Sequence, residues 1–93
     1  MKPLEKDLEN QCVKYAARFG CKAIKLVDIG RKGFPDRSIL CPSGKAFFVE
    51  FKRIGGKVSK SQIEYHAAIV DLGFDVWIVD NFTRFKKILE GYL

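Results

Sequence analysis

The sequence predicts a mixed β-sheet covered by helices, an α/β or α+β domain whose elements run α-β-β-β-α-β-α. Three observations carry this prediction. Apolar residues recur at helical spacing near both ends of the chain. Short runs rich in Val, Ile and Phe lie between those ends, as strands require. Gly and Pro stand at the boundaries between the runs.

Taken in order, Pro3 suits an early helical position, and Leu8, Cys12, Tyr15, Ala16 and Phe19 form one stripe of a helix over Leu4–Phe19 that Gly20 stops. The run CKAIKLVD alternates well enough for a strand, and IGRKGFP, with two glycines and a proline, reads as a loop. DRSILC and KAFFVEFK read as strands joined by Pro42-Ser43-Gly44, and RIGGKV as a further loop. Ser59-Lys60-Ser61-Gln62 has the form of a capping box and opens a helix to about Leu72, closed by Gly73. FDVWIV is a fourth strand. Asp80 or Asn81 caps a last helix, in which Phe82, Phe85, Ile88, Leu89 and Tyr92 share one stripe.

A chain of 93 residues is one domain with a thin core. Apolar residues make up 47% of it, which places it among globular chains and away from disordered ones. The net charge of +6 favours a polyanionic partner, nucleic acid or an anionic membrane surface. The membrane reading is the weaker, because no run approaches the roughly 20 apolar residues of a spanning helix. The opening MKPLEKDLENQ is polar and acidic and does not fit a signal peptide. Cys12, Cys21 and Cys41 are odd in number and form no Cys-x-x-Cys pair, so buried thiols of a reduced, intracellular protein are expected. With His66 the one histidine, a zinc site of the Cys/His kind is disfavoured.

The stretch GFPDRSILCPSGKAFFVEFK places two carboxylates in an apolar hairpin. A three-residue loop at Pro42-Ser43-Gly44 pairs Cys41 with Lys45 and sets Asp36 directly opposite Glu50; a two-residue loop leaves them near-diagonal. Facing carboxylates do not both ionise cheaply unless positive charge lies close. Lys52 shares the face of Glu50 and neutralises part of this charge. A divalent cation would neutralise more, and carboxylate oxygens suit magnesium or manganese. An Asp and a Glu-x-Lys alone are common on surfaces. Glu50, however, lies inside the apolar run AFFVEFK, where a carboxylate without a role is uncommon.

Pro35-Asp36 followed in the next strand by Glu50-Phe51-Lys52 resembles the PD-(D/E)XK nuclease motif. The ordered set Glu9, GRKGFPD, FFVEFKRIGGKVSKSQ and LGFDVWIVD resembles the VRR-NUC branch, the virus-type replication-repair nucleases, over nearly the whole chain. The resemblance implies a restriction-endonuclease-like α/β fold with a mixed four-stranded sheet. It also implies a metal-dependent DNA endonuclease of phage type, acting in the cytoplasm on branched DNA such as the four-way (Holliday) junctions of repair. Asp36 and Glu50 would bind Mg²⁺ or Mn²⁺ with the backbone carbonyl of Phe51, and Lys52 would orient water or stabilise transition-state charge.

Glu9 matches the family's helix-one Glu, which reaches the metal directly or through water. It flanks the apolar stripe beside Val13 and Ala16, with Glu5 as the rival one turn earlier. Gln62 matches an early-helix Gln and also has a capping reason to be there. His66 stands where related nucleases of the RecB type carry Tyr, and is expected to be a half-buried helix residue rather than a base. Arg31, Lys32 and Arg37 around the Pro-Asp, and Arg53, Lys57 and Lys60 after Glu-x-Lys, are expected to contact DNA phosphates. Eight Phe, three Tyr and one Trp exceed what a thin core must hold. Cutting two strands of a branched DNA, as the resemblance implies, needs a second site related by a two-fold axis, so a homodimer is expected; the aromatic content permits it, and the helix bearing Phe82, Phe85 and Tyr92 could lend apolar surface to the interface.

Overall fold

The computed structural model describes residues 3–27 and 33–93. These form α1 (Pro3–Arg18), β1 (Lys22–Lys25), β2 (Arg37–Leu40), β3 (Ala46–Phe51), α2 (Lys60–Asp71), β4 (Val76–Val79) and α3 (Phe82–Glu90), the order expected. Every strand is shorter than its sequence run, because pairing stops where the chain turns away from its neighbour. Arg31 and Lys32, and most of the loop that holds them, lie outside the described residues.

The strands form one sheet in the order β1-β2-β3-β4. β1, β2 and β3 pair antiparallel, and β3 pairs parallel with β4. A parallel pair needs a crossover, and α2 supplies it. The β2–β3 hairpin has the register of the three-residue loop. Leu40 pairs with Ala46 and Arg37 with Val49. The Cys41 N–H donates to the Lys45 carbonyl at 2.9 Å, and Gly44 takes a φ of 81° to close the turn. Ser59 caps α2 in a full capping box, and Asn81, not Asp80, caps α3.

Strand side chains alternate, so the sheet has two distinct faces. Ile39, Phe47, Val49, Phe51 and Val79 point to one face and are buried beneath α1 and α3 with Cys12, Ala16, Phe85 and Leu89. The three cysteines are buried free thiols, as expected. The other face carries Ser38, Phe48 and Glu50, and α2 covers only part of it. Ile24 and Leu40 on this face, 44% and 43% exposed, remain in contact with solvent.

The aromatic residues of α3 and of the turn after it pack largely within the chain. Phe85 and Leu89 are fully buried. Tyr92 stacks on Phe47 at 4.3 Å between ring centroids, and Phe82 meets Tyr15 edge-on at 5.2 Å. The stripe covers the chain's own sheet, with Phe82 and Tyr92 half-buried at its margin. Among the described residues no helix is long and apolar enough to cross a membrane.

Candidate active site

The hairpin register runs one step beyond β2 to set Asp36 against Glu50, at the end of the sheet that α2 overlies. Glu50 is 3% exposed, and Pro35, which holds Asp36 in place, is fully buried. Asp36 Oδ2 accepts a hydrogen bond of 2.8 Å from the backbone N–H of Phe51. Lys52 projects to the side of Glu50, with Nζ 3.6 Å from Oε2. The start of α2 closes the site, and Gly33 lets the loop before Asp36 lie against it. A Cβ on Gly33 would stand 2.4 Å from the Ser61 carbonyl oxygen, and the residue's φ of +96° suits only glycine.

Gln62 works in two directions at once. Its Oε1 accepts from the Ser59 N–H at 3.0 Å, completing the cap, and its Nε2 donates to Glu50 Oε2 at 2.8 Å. The cap thereby fixes the amide that holds the carboxylate. His66, one turn further along α2, is 7% exposed rather than half-buried, and its Nε2 lies 4.0 Å from Glu50 Oε1. Sequence reasoning missed its place beside Glu50. The signal was the four-residue spacing from Gln62, which places both on one helix face.

Charge in this pocket is held at a cost. Burial, then the neighbouring Asp36, pushes the Glu50 carboxyl up to about 7, against the opposing pull of Lys52 and Gln62. Burial also raises Asp36, with the Phe51 N–H pulling the other way, Glu9 adding to the rise and Lys52 and Lys25 opposing it. Burial lowers His66, as does Lys52, while a hydrogen bond with the Gly33 backbone opposes them. Two desolvated carboxylates and a neutral-leaning imidazole make a site that gains from a cation.

Glu9 faces inward at 1% exposure, and its charge acts on Asp36. Its carboxylate is already engaged: Arg37 Nε donates to Oε2 at 2.6 Å, and Lys25 Nζ is 3.7 Å from the same oxygen. Glu5 points elsewhere and accepts from the Arg53 N–H at 3.4 Å. Among the described residues no group of three His, Cys, Asp or Glu side chains converges to hold a metal by itself. The donors that would fit a cation are Asp36 and Glu50, whose buried Oε1 lacks any protein hydrogen bond; backbone oxygen and water would have to supply the rest. An oxygen-only set with few carboxylates suits Mg²⁺ or Mn²⁺, which retain several waters.

The expected phosphate contacts divide into two groups. Arg53, Lys57 and Lys60 are exposed beyond β3 and at the start of α2. Arg37 instead turns to the α1 face, where its guanidinium holds Glu9 and the Ala23 carbonyl at 3.1 Å.

No family model matches the chain. Its sequence is 38% identical over 77 residues, 83% of each chain, to "Putative nuclease p44" of Acyrthosiphon pisum secondary endosymbiont phage 1. A solved structure described as a VRR_NUC domain superposes on it with a TM-score of 0.88 and 27% sequence identity, covering 99% of this chain and 100% of that one.

Proposed function

We propose, from the premise that this chain belongs to the VRR-NUC nuclease family, that it is a divalent-metal-dependent endonuclease that hydrolyses phosphodiester bonds of DNA. The observation that carries this reading is the opposed pair of half-buried Asp36 and buried Glu50, with Lys52 and Gln62 in contact with the second carboxylate.

Asp36, Glu50 and the Phe51 carbonyl would hold Mg²⁺ or Mn²⁺. When bound, the cation polarises the scissile phosphate and lowers the pKa of a water. The chain's own groups do the rest. Gln62 keeps Glu50 in one orientation. The Lys52 ammonium, 17% exposed, sits at the boundary between pocket and solvent, where it can orient an attacking water or offset charge growing on the phosphate oxygens. Water adds to phosphorus while the opposite P–O bond breaks, so one strand is cut per event. Arg53, Lys57 and Lys60 supply positive charge along the backbone's path. Glu9 would support the site by holding Arg37 and adding negative charge beside Asp36.

The substrate reading is branched DNA such as a four-way junction, cut by a homodimer whose two-fold axis relates two sites. With α3 occupied inside the chain, the support for a second copy comes from the partly covered sheet face. There Ile24, Leu40 and Phe74 are 44%, 43% and 51% exposed. Labelled linear, flapped and four-way DNA, incubated with the protein in Mn²⁺ or in EDTA, tests the reading. Cleavage in Mn²⁺ alone, strongest on the four-way substrate, is expected. Binding of DNA without cleavage under any metal would instead make the chain a nucleic-acid-binding module.

A further inference from the structure

α2 presents two side chains to Glu50. Gln62 takes one carboxylate oxygen, with Nε2 2.8 Å from Oε2. The other oxygen, Oε1, is buried and has no hydrogen-bond partner in the protein, and the same holds for His66 Nε2. These two atoms face each other at 4.0 Å. That is too long for a direct hydrogen bond. It is the span that a single water makes when it sits about 2.8 Å from each of two groups. A buried polar atom left without a partner costs about 1–3 kcal/mol, so two such atoms at bridging distance favour capture of a water.

The same stretch of α2 is packed against the loop that leads to Asp36: a Cβ on Gly33 would stand 2.4 Å from the Ser61 carbonyl oxygen and 2.9 Å from the Gln62 nitrogen. That loop lies so close to α2 that no side chain fits at Gly33. α2 therefore stands between the loop that leads to Asp36 and the carboxylate of Glu50, to which it presents Gln62 and His66.

We infer that His66 is a positioning residue of the cation site: through one shared water it sets the direction of Glu50 Oε1. It acts through Glu50 and touches neither phosphate nor cation. An apolar residue of similar size would fill the same space but leave Oε1 without a partner and the carboxylate held through Oε2 alone. The inference rests on the metal reading given above, because a fixed Oε1 matters only where a cation is bound.

Calorimetric titration with Mn²⁺ alone tests it, using the wild-type chain and the variants His66→Gln, His66→Asn and His66→Phe, with thermal melts of each in the absence of metal. Gln carries its terminal polar atom about as far out as Nε2, whereas Asn does not reach it. His66→Phe and His66→Asn are expected to bind Mn²⁺ about tenfold more weakly or worse, the usual effect of losing a group that orients a ligand. His66→Gln should stay within about threefold of wild type, a rescue that a packing role does not produce. A folded His66→Phe that binds as wild type does, or a His66→Gln as weak as His66→Asn, would overturn the inference. If His66→Phe fails to fold, the Gln and Asn pair still decides it. Wild-type protein that takes up no Mn²⁺ would remove the metal reading itself and the inference with it. Loss of uptake in Glu50→Gln shows that the heat comes from this site.

Discussion

Asp36 Oδ2 accepts a 2.8 Å hydrogen bond from the N–H of Phe51, the residue next to Glu50. The bond crosses from the bend just before β2, which carries one carboxylate, to β3, which carries the other. It ties the Asp36 carboxylate to β3, beside Glu50. Such a bond favours the ionised form, yet burial outweighs it and Asp36 still titrates higher than an ordinary carboxylate. The fold thus holds both acids in place at the expense of their charge, the arrangement expected of a site built in advance for a cation.

Gln62 joins cap and site, and the two contributions can be separated. Ser59→Ala removes only the cap and should lower stability by about 1 kcal/mol, with cleavage retained. Gln62→Ala loses the capping box and also frees Glu50 Oε2, so it should add a loss of cleavage of about tenfold or more, in line with loss of an orienting partner. Urea melts and cleavage rates on the two variants check this. Equal activity in both would mean that Gln62 serves the helix alone.

Stability should fall as pH rises. Glu50 titrates near 7 in the folded chain against an ordinary 4.5. The folded state therefore holds this proton more tightly than the unfolded state does. Its contribution is most favourable below the ordinary carboxylate range, declines as pH climbs to about 7, and is level above that. The full span is on the order of 3 kcal/mol. His66, lowered by burial, contributes with the opposite sign at acid pH. The wild-type stability minus that of Glu50→Gln isolates the carboxyl. Denaturant melts between about pH 5 and pH 8 should show this difference falling with pH, and Mn²⁺ should restore stability at the alkaline end.

Glu9 and Arg37 form an ion pair whose carboxylate is 2% exposed and whose guanidinium is 17% exposed. Breaking such a pair leaves its partner stranded, at about 3–5 kcal/mol for a fully buried pair. Glu9→Ala should therefore lower the melting temperature clearly, as should Arg37→Ala, and the double variant should be less destabilised than the sum of the two. A Glu9→Ala chain as stable as wild type but without Mn²⁺ affinity would place Glu9 among the metal's own ligands.

The exposed cations should read out through salt. Replacing Arg53, Lys57 or Lys60 by Ala should each reduce the slope of log affinity against log salt by about one for every phosphate that the side chain neutralises. Arg37→Ala should change stability and leave that slope unaltered. Fluorescence anisotropy with labelled DNA over a range of salt distinguishes the two behaviours.

Much of this arrangement was legible in the sequence because short-range rules decide it. The length of the Pro42-Ser43-Gly44 turn sets the register, and the register alone brings Asp36 to Glu50. The capping box and the α3 stripe were legible for the same reason. Arg37 departs from expectation because proximity to Asp36 along the chain is not proximity in space. Neighbouring strand residues point to opposite faces, so Arg37 turns to α1 while Asp36 turns to α2. Glu9 lies three residues before Cys12 and seven before Ala16, on the buried stripe of α1, and meets Arg37 there. What local rules could not foresee was which of several basic groups reaches it, and that the α3 aromatics would be consumed within the chain. Both depend on how helices from opposite ends of the sequence pack on one sheet face.

The central claim is that Asp36 and Glu50 form a metal-dependent centre for cutting DNA. Strand cleavage of a fluorescent four-way junction, measured for wild type, Asp36→Asn and Glu50→Gln in Mn²⁺ and in EDTA, tests it most directly. The account predicts cutting by wild type in Mn²⁺ and none in EDTA. Both variants should be slower by about a hundredfold or more, consistent with losing electrostatic stabilisation at the reacting phosphate, and should melt no lower than wild type because each relieves the opposed charges. Cleavage at the wild-type rate by either folded variant, or undiminished cleavage in EDTA, would contradict the account.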